Sequence, residues 1–308
     1  MSEAGARDPF AAYRARLDAL GFRPSRRLGQ NFLLEPSLHR VIADAAGLLE
    51  GDVALEIGAG LGFLTKELAA RAAHVVTVEV DPRLAHLLRE DFPAGESRVE
   101  IVECDALAAG DRLAAPVEAA LERARAAFPR ARLVAVANLP YAIAGPLLVA
   151  LVVLGGANAV ASLAVLVQAE LGERITAVPS TKEYGSLSAL LGTFFHARIE
   201  RRVGREVFRP RPQVDSAIVS LRAREGLAPW QTERPGRVAF ARFCRSLFAS
   251  RRKTLRFALD RLVPGWTELD QVDASLASRR AESLAPDEIA ALFVALGSPG
   301  LERPVPGP

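Results

Sequence analysis

The tetrapeptide Asn138-Leu139-Pro140-Tyr141 combines an amide oxygen, a rigid backbone and an aromatic ring, which together suit chemistry on a planar amine. The exocyclic amine of adenine is a poor nucleophile because its lone pair is delocalised into the ring. The side-chain oxygen of Asn138 and the carbonyl of Leu139 can accept both amine hydrogens and direct the lone pair at a methyl group. Pro140 fixes the backbone around that carbonyl, and Tyr141 offers a stacking face. The alternative is an ordinary turn in which Asn138 caps a helix and Tyr141 packs.

Three glycines at alternate positions, Gly58, Gly60 and Gly62, follow a short apolar run and precede an apolar-periodic segment. This order predicts a strand, a tight turn and the first turn of a helix, where open α/β sheets bind nucleotides. A dinucleotide fingerprint would need glycine at the position of Phe63. Alternate glycines after the acidic Glu56 are instead typical of methyltransferases that use S-adenosylmethionine. The alternative is a glycine-rich turn without a ligand.

Polar side chains follow the next three predicted strands. Glu79 closes the second strand and matches the carboxylate that accepts hydrogen bonds from ribose hydroxyls in doubly wound nucleotide sites. Asp105 follows the third strand, where it can accept a bond from an adenine amine, and Asn138 ends the fourth. Because the carboxyl ends of parallel strands meet at one edge of the sheet, one ligand can contact all three. Taken singly, Glu79 and Asp105 can equally be helix caps or solvated loop acids.

Strand and helix patterns alternate through the first two-thirds of the chain. Strands are predicted at 53–57, 74–80, 99–102, 133–137, 164–168, 198–203 and 217–221, with helices between them, as at 36–46 and 112–128. This rhythm predicts an α/β fold with a doubly wound, mostly parallel sheet. After about residue 224 it gives way to a linker at 226–236 and then to helices. We expect an N-terminal extension (1–25), a methyltransferase domain (26–224), a smaller C-terminal helical domain (225–296) and a disordered tail (297–308).

The loop at 208–216 is stiffened by two prolines and carries an aromatic ring and two arginines. Phe208 is predicted to stack on a base turned out of its helix, while Arg209 and Arg211 meet phosphates. The alternative is a surface loop anchored by a buried phenylalanine.

A single helix is predicted from 237 to 259, with an apolar stripe inside and seven basic residues, including Arg237, outside. It contains no acidic residue, whereas a solvated helix face usually mixes both signs. The pattern therefore favours a phosphate-bearing partner. The predicted RNA-binding residues here are Arg251, Arg252, Lys253 and Arg256.

Composition sets the broad class. The 308 residues are 50% hydrophobic, which is enough for a sizeable core. The formal net charge is +3 and the pI is about 9.2, which favours a polyanionic partner. Cys104 and Cys244 are distant in sequence and the four histidines are scattered, so neither a disulfide framework nor a metal site is expected. No signal-peptide core or membrane-spanning apolar run is present. We expect a soluble, cytoplasmic protein.

Ten ordered motifs resemble one family, the small-subunit ribosomal RNA adenine dimethyltransferases. They are L-G-Q-N-F-L (28–33), E-I-G-A-G-L-G (56–62), V-E-V-D (78–81), D-A-L (105–107), N-L-P-Y (138–141), Q-A-E-L-G-E-R-I (168–175), Y-G-S-L-S (184–188), F-R-P-R-P-Q-V-D-S (208–216), R-R-K-T-L-R (251–256) and R-A-E-S-L (280–284). The resemblance covers roughly residues 26 to 290. It implies S-adenosylmethionine as cofactor, dimethylation of two adjacent adenines near the 3′ end of the RNA, and that RNA or a pre-ribosomal particle as partner.

The resemblance also implies roles for individual residues. Positions that match six residues bind the cofactor in the family: Asn31, Leu33, Gly58, Glu79, Asp105 and Asn138. Gln30 and Gly60, from the same motifs, complete the predicted cofactor set. Asn138 and Tyr141 match the family's target-base motif, and the predicted catalytic set is Asn138, Leu139, Pro140, Tyr141 and Phe208.

The sequence departs from the family pattern at Ala59, Cys104 and Phe257, where proline, glycine and asparagine are usual. The stretch between the third and fourth strands is longer than usual and is expected to affect how RNA docks. Three other functions stay open: an antibiotic-resistance methyltransferase of large-subunit rRNA, a non-catalytic ribosome-assembly factor, and a nicotinamide dehydrogenase. The C-terminal basic motifs, the intact Asn138 and the presence of Phe63 disfavour them in turn. We expect a monomer.

Overall fold

A computed structural model describes residues 15–25, 28–109, 111–269 and 273–300. Its strands are β1 (Phe32–Leu33), β2 (Val53–Ile57), β3 (His74–Glu79), β4 (Val99–Glu103), β5 (Leu107–Ala108), β6 (Arg112–Leu113), β7 (Leu133–Asn138), β8 (Val160–Gln168), β9 (Phe195–Val203), β10 (Phe208–Arg209) and β11 (Ser216–Ala223). Within the described residues, seven of them form one sheet in the order β4-β3-β2-β7-β8-β11-β9. The first five in this order are parallel, and β11 and β9 are antiparallel to their neighbours.

Helices cover both faces of this sheet. They are α1 (Pro36–Ala46), α2 (Phe63–Ala69), α3 (Pro82–Asp91), α4 (Ala115–Ala127), α5 (Ala144–Val152), α6 (Ala169–Ile175), α7 (Ser186–Phe194), α8 (Pro229–Thr232), α9 (Arg234–Phe248), α10 (Leu255–Leu262) and α11 (Pro286–Ala295). Helices α1 and α3 begin with proline, which is tolerated in a first turn because the amide there has no intrahelical partner. The prediction of a doubly wound, mostly parallel α/β fold followed by helices is confirmed.

Two buried clusters flank the sheet. On one face, Leu38 and Ile42 of α1 and Leu64 of α2 pack against β2, β3 and β7. On the other, a larger cluster runs from α4 and α5 through Phe194 of α7 to Phe240 of α9 and on to α11. The C-terminal helices therefore share a continuous hydrophobic core with the sheet.

The predicted linker at 226–236 is wrong, because this segment is folded and packed. Helix α8 lies inside it, and α9 begins at Arg234. A Cβ on Gly236 would lie 1.9 Å from the carbonyl oxygen of Trp230. Glycine at this position thus permits close packing of two backbones rather than a flexible connection.

The single helix predicted over 237–259 is also wrong, since α9 and α10 are separated by a turn at 249–254. The chain turns here because its backbone pairs with a distant segment. Thr254 forms an antiparallel bridge with Arg280, and the amide of Leu255 donates to the carbonyl of Arg279 at 2.7 Å. Two of the motifs recognised in the sequence, at 251–256 and 280–284, are neighbours in the fold for this reason.

Arg237 was predicted to lie on the exposed face of its helix, but it is buried, with 4% of its surface exposed. Its guanidinium donates to the carbonyls of Gln231 at 2.6 Å and Val152, the last residue of α5, at 2.9 Å. It also lies over the ring of Phe194 at 4.8 Å. Burial lowers its pKa to about 10. Arg237 therefore satisfies a helix C-terminus and links the C-terminal helices to the sheet.

Several boundaries differ from the predicted ones by a few residues. The helix expected at 112–128 starts at Ala115, because residues 112–113 pair with β5 as a short hairpin. Strands β8 and β9 start earlier than predicted, at Val160 and Phe195. Residues 15–19 are helical, as predicted for the N-terminal extension. Tyr13, the basic pair at 26–27 and most of the predicted tail, 301–308, lie outside the described residues.

Candidate functional site

The glycine loop joins the carboxyl end of β2 to α2. Gly58, Gly60 and Gly62 have φ angles of 78°, 58° and 75°, which residues with a Cβ rarely adopt. The amide of Gly58 donates to the carbonyl of Val78 in β3 at 2.8 Å. A Cβ on Gly62 would lie 2.9 Å from the side chain of Leu88 in α3. The loop is thus held close to its neighbours and presents backbone atoms to the space above the sheet.

Glu79 ends β3 beside this loop and is buried, with 5% of its surface exposed. Its Oε2 accepts from the amide of Gly60 at 2.8 Å, and its Oε1 accepts from the amide of Asp81 at 2.9 Å. Burial raises the pKa of Glu79, and the hydrogen bonds from backbone amides only partly oppose that effect. Each carboxylate oxygen can still accept a further bond.

Residues 28–33 form a second wall of the site. In β1, Leu33 lies opposite Phe208 of β10, which brings this segment against the proline-rich loop. Gln30 is fixed at both ends of its amide, since its Oε1 accepts from the amide of Ser25 at 2.7 Å. Its Nε2 donates to Asp81 at 3.2 Å. The same wall therefore touches both the proline-rich loop and the strand end that carries Glu79.

Asn138 ends β7 and faces this wall. Its Nδ2 donates to the backbone carbonyl of Asn31 at 3.4 Å, which leaves Oδ1 as an acceptor. The amide of Leu139 donates to the carbonyl of Leu166 at 3.0 Å. Among the described residues, no backbone or side-chain donor reaches the Leu139 carbonyl oxygen. The two predicted acceptors for an amine are therefore both available.

Pro140 and Tyr141 complete this edge. Pro140 lies between two glycines, since a Cβ built on Gly29 or Gly58 would lie 3.4 Å or 3.7 Å from its ring atoms. The hydroxyl of Tyr141 hydrogen bonds with that of Ser216 at 2.8 Å. Burial raises the pKa of Tyr141. The tyrosine is therefore neutral and anchored by its hydroxyl, with its ring at the site.

These elements line one cleft at the carboxyl edge of the sheet. Every predicted cofactor-binding residue lines it except Asp105. Asp105 follows β4, one strand beyond Glu79, and its Oδ1 accepts from the amide of Leu107 at 3.0 Å. A nucleoside with an amino-acid substituent fits this set: a loop whose glycines allow close approach, a buried carboxylate for ribose, and side-chain amides opposite. The contact between Asp105 and an adenine stays a prediction.

Phe208 was predicted to stack on the target base, and its position does not suit that role. The ring is 1% exposed and packs in the core with Leu33 and Val203. The alternative, a loop anchored by a buried phenylalanine, describes what the structure shows. Arg209 and Arg211 are exposed, and the guanidinium of Arg209 donates to the carbonyls of Glu206 and Phe208 at 2.7 Å each.

The predicted RNA-binding residues at 251–256 divide into two kinds. Arg251 is half-buried and donates to Glu282 at 3.0 Å and to the carbonyl of Lys182 at 3.2 Å. Arg252, Lys253 and Arg256 are exposed, and their side chains form no hydrogen bond or ion pair within the described residues. Only the second kind has guanidinium or ammonium groups free to meet phosphates.

Two titratable side chains that line the cleft were not among the predicted site residues. His39 of α1 is buried against Phe63, with ring centroids 5.6 Å apart, and burial lowers its pKa to about 4. Glu56 is the penultimate residue of β2, just before the glycine loop. Sequence signals existed for both: His39 falls on the inward face of a helix, and Glu56 is an acid inside a strand otherwise made of apolar residues.

Two classes of feature are absent from the described part of the chain. No group of three or more His, Cys, Asp and Glu side chains there could hold a metal ion. No helix in the same ranges has the length and apolarity to cross a membrane.

The chain is similar to known proteins over most of its length. A family model described as ribosomal RNA adenine dimethylase matches residues 21–293. Ribosomal RNA small subunit methyltransferase A of Pelotomaculum thermopropionicum is 41% identical over 280 residues, which cover 88% of this chain and 91% of that protein.

Two solved structures share the fold. A dimethyladenosine transferase from Plasmodium falciparum has a TM-score of 0.65 at 23% identity, covering 87% of this chain and 98% of that one. The 23S rRNA methyltransferase ErmE has a TM-score of 0.55 at 24% identity, covering 87% and 100%. Since the family model spans nearly the whole described chain and the sequence relatives match it at nearly full length, this protein belongs to the ribosomal RNA adenine dimethylase family.

Proposed function

We propose that this protein transfers methyl groups from S-adenosylmethionine to the exocyclic amines of two adjacent adenines near the 3′ end of small-subunit ribosomal RNA, dimethylating each. We further propose that it acts in the cytoplasm as a monomer. The observation that carries the proposal is the orientation of Asn138. One of its amide hydrogens engages the Asn31 carbonyl, so its oxygen is left to accept from an amine beside the glycine loop. The names of the sequence relatives support the choice of RNA.

Positioning carries most of the proposed catalysis. S-adenosylmethionine supplies an electrophilic methyl group on a sulfonium, so no strong base is needed before the amine attacks. The Asn138 oxygen and the Leu139 carbonyl accept the two amine hydrogens and aim the nitrogen lone pair. Pro140, held between Gly29 and Gly58, fixes that carbonyl, and Tyr141 stacks on the base. The amine proton leaves to solvent after the methyl group has moved.

The RNA side of the proposal rests on charge. Arg211, Arg252, Lys253 and Arg256 are exposed and form no ion pair within the described residues. Cations of this kind neutralise phosphates and release counterions, which gives salt-dependent affinity. Arg209 and Arg251, also predicted to bind RNA, would have to exchange the hydrogen bonds that they make in the free protein.

The direct test is methyl transfer to defined RNA. Small-subunit particles and large-subunit RNA, both lacking this modification, are incubated with the purified protein and S-adenosylmethionine, then digested and examined by mass spectrometry. We expect dimethyladenosine at two adjacent positions in the small-subunit RNA alone. Modification of the large-subunit RNA would support the antibiotic-resistance function, and product in neither would support a non-catalytic factor.

Calorimetric titration separates the two cofactor classes. We expect S-adenosylmethionine to bind and NAD not to bind, because Phe63 stands where a dinucleotide site needs glycine. Tight binding of NAD without a response to S-adenosylmethionine would overturn the proposed function.

A further inference from the structure

Glu56 is a buried carboxyl group that the proposed mechanism does not use. It is 0% exposed and lines the floor of the cleft. Its Oε2 accepts from the hydroxyls of Thr65 and Thr77, both at 2.6 Å. Its Oε1 is the one buried side-chain nitrogen or oxygen atom without a hydrogen-bond partner within the described residues. Buried polar atoms are nearly always paired, so this one requires an explanation.

Within the part of the chain that the structure describes, no cation faces Glu56 from the elements packed around it. Strand β3 contributes Glu79, a like charge. Helix α1 contributes His39, whose imidazole is neutral near pH 7, and the nearest basic residue of α2, Lys66, is exposed. Strand β7 contributes the uncharged Asn138. An ionised Glu56 is therefore buried without a counter-charge, and burial raises its pKa to about 7.

We propose that Glu56 is a specificity-determining residue that makes the cleft prefer S-adenosylmethionine to its demethylated product, S-adenosylhomocysteine. The inference rests on the proposed cofactor. The two molecules share their nucleoside and amino-acid parts and differ by one methyl group and one positive charge on sulfur. A buried carboxylate below the cleft floor attracts that charge through a medium of low dielectric constant, without needing to touch it.

This preference serves repeated transfer. Each adenine in the proposed reaction receives two methyl groups, so product must be replaced by fresh cofactor between transfers. The product lacks the sulfonium charge that stabilises ionised Glu56, so it binds less tightly than fresh cofactor and is exchanged for it. The hydrogen bonds from Thr65 and Thr77 keep the carboxylate in place while the ligand changes.

The preference depends on pH in a defined direction. Glu56 in the free protein is protonated below about pH 7 and ionised above it. A cationic ligand favours the ionised form, so its binding releases a proton at lower pH. The affinity for S-adenosylmethionine should therefore rise as the pH increases to about 7 and then level off. The affinity for S-adenosylhomocysteine should change less.

Calorimetry with both ligands on wild type and Glu56→Gln at pH 6 and pH 8 tests this. The ratio to compare is the dissociation constant for S-adenosylhomocysteine divided by that for S-adenosylmethionine. In wild type, this ratio should be several-fold larger at pH 8 than at pH 6. In the variant, the ratio should lose its pH dependence and fall about tenfold at pH 8, equivalent to one pKa unit of coupling. A purely structural role would weaken both ligands equally, and an unchanged ratio would overturn the inference.

Two further variants keep the test decisive. Glu103→Gln removes an exposed acid at the end of β4, two strands from β2, which pairs with Arg89 of α3 at 2.9 Å, and it should leave the ratio unchanged. Thr65→Val removes one donor to Glu56 and should move the midpoint of the pH dependence upward, so it serves even where Glu56→Gln fails to fold. An unmoved midpoint counts against the inference. If wild type binds neither ligand, the proposed cofactor itself fails; if both bind with an unchanged ratio, only the role of Glu56 fails.

Discussion

Polar groups are placed in opposite ways in the cleft and in the basic turn at 249–254. In the cleft, Glu79 and Asn138 are wholly or partly buried and held by hydrogen bonds to backbone atoms. In the basic turn, Arg252 and Lys253 are exposed and unpaired among the described residues. The cleft is thus built for a fixed geometry, in which one lost acceptor matters. The turn supplies positive charge, and each of its cations is expected to contribute only a small part of the RNA affinity.

The largest effect should follow a change in the cleft. Asn138→Ala removes an oriented acceptor from the reacting amine, and loss of one preorganised group of this kind lowers a rate by roughly a hundredfold or more. Single-turnover methyl transfer at saturating cofactor and RNA measures the chemical step apart from binding. A rate within a few-fold of wild type would mean that Asn138 is only a cap or a binding contact.

Arg237 shows that a basic residue can also be buried and held by hydrogen bonds to backbone atoms, as the polar groups of the cleft are. Arg237→Met keeps an unbranched apolar stem but leaves the carbonyls of Gln231 and Val152 without their donor. We expect about 2 kcal/mol of lost stability, which is roughly a 30-fold change in the unfolding equilibrium. Urea unfolding measures it. The exposed Arg242, in the same helix, is the matched control, and Arg242→Met should be nearly neutral.

The contrast also explains what the sequence could predict. The cleft was predictable because its residues follow strands or glycines whose geometry is forced: Gly58, Gly60, Glu79 and Asn138 all lie where the pattern put them. The burial of Arg237 was not predictable, because helical periodicity places a long charged side chain on the exposed face. Nothing local in the sequence reveals that Val152 ends a helix directly opposite it.

The prediction of one helix across 249–254 was wrong, and the burial of Phe208 was not predicted, for a related reason. Both are fixed by strand-like pairing between segments distant in sequence, β1 with β10 and Thr254 with Arg280. Such contacts depend on the assembled fold, whereas an aromatic ring beside arginines is read locally as a ligand contact. Glu56 was seen only as part of the glycine motif, because its missing partner is visible only in three dimensions.

A smaller loss of function is expected at Glu79. Its carboxylate accepts from the amide of Gly60 and is proposed to accept from the ribose hydroxyls of the cofactor as well. Glu79→Gln keeps one oxygen for the amide of Gly60 but weakens acceptance from ribose hydroxyls. Hydrogen bonds to charged groups contribute about 1.5–3 kcal/mol, so cofactor affinity should fall at least about tenfold. Calorimetry measures this loss, and RNA affinity should stay unchanged. A variant that loses RNA affinity by the same factor would contradict the separation of the two regions.

The smallest effect, and the sharpest test of the comparison, contrasts two neighbouring arginines in the basic turn. Arg252→Ala removes an exposed cation, so RNA affinity should fall a few-fold and the slope of log affinity against log salt should decrease by about 1. Arg251→Ala removes a cation held by Glu282 and Lys182, so the salt slope should change less. The stability of the Arg251→Ala variant should fall by up to about 1 kcal/mol, because a partly exposed ion pair contributes little.

RNA titrations at several salt concentrations measure the salt slope of each variant, and urea unfolding measures its stability. Equal salt slopes for the two variants would mean that Arg251 leaves Glu282 to meet phosphate, and the division of the turn into held and free cations would then be wrong.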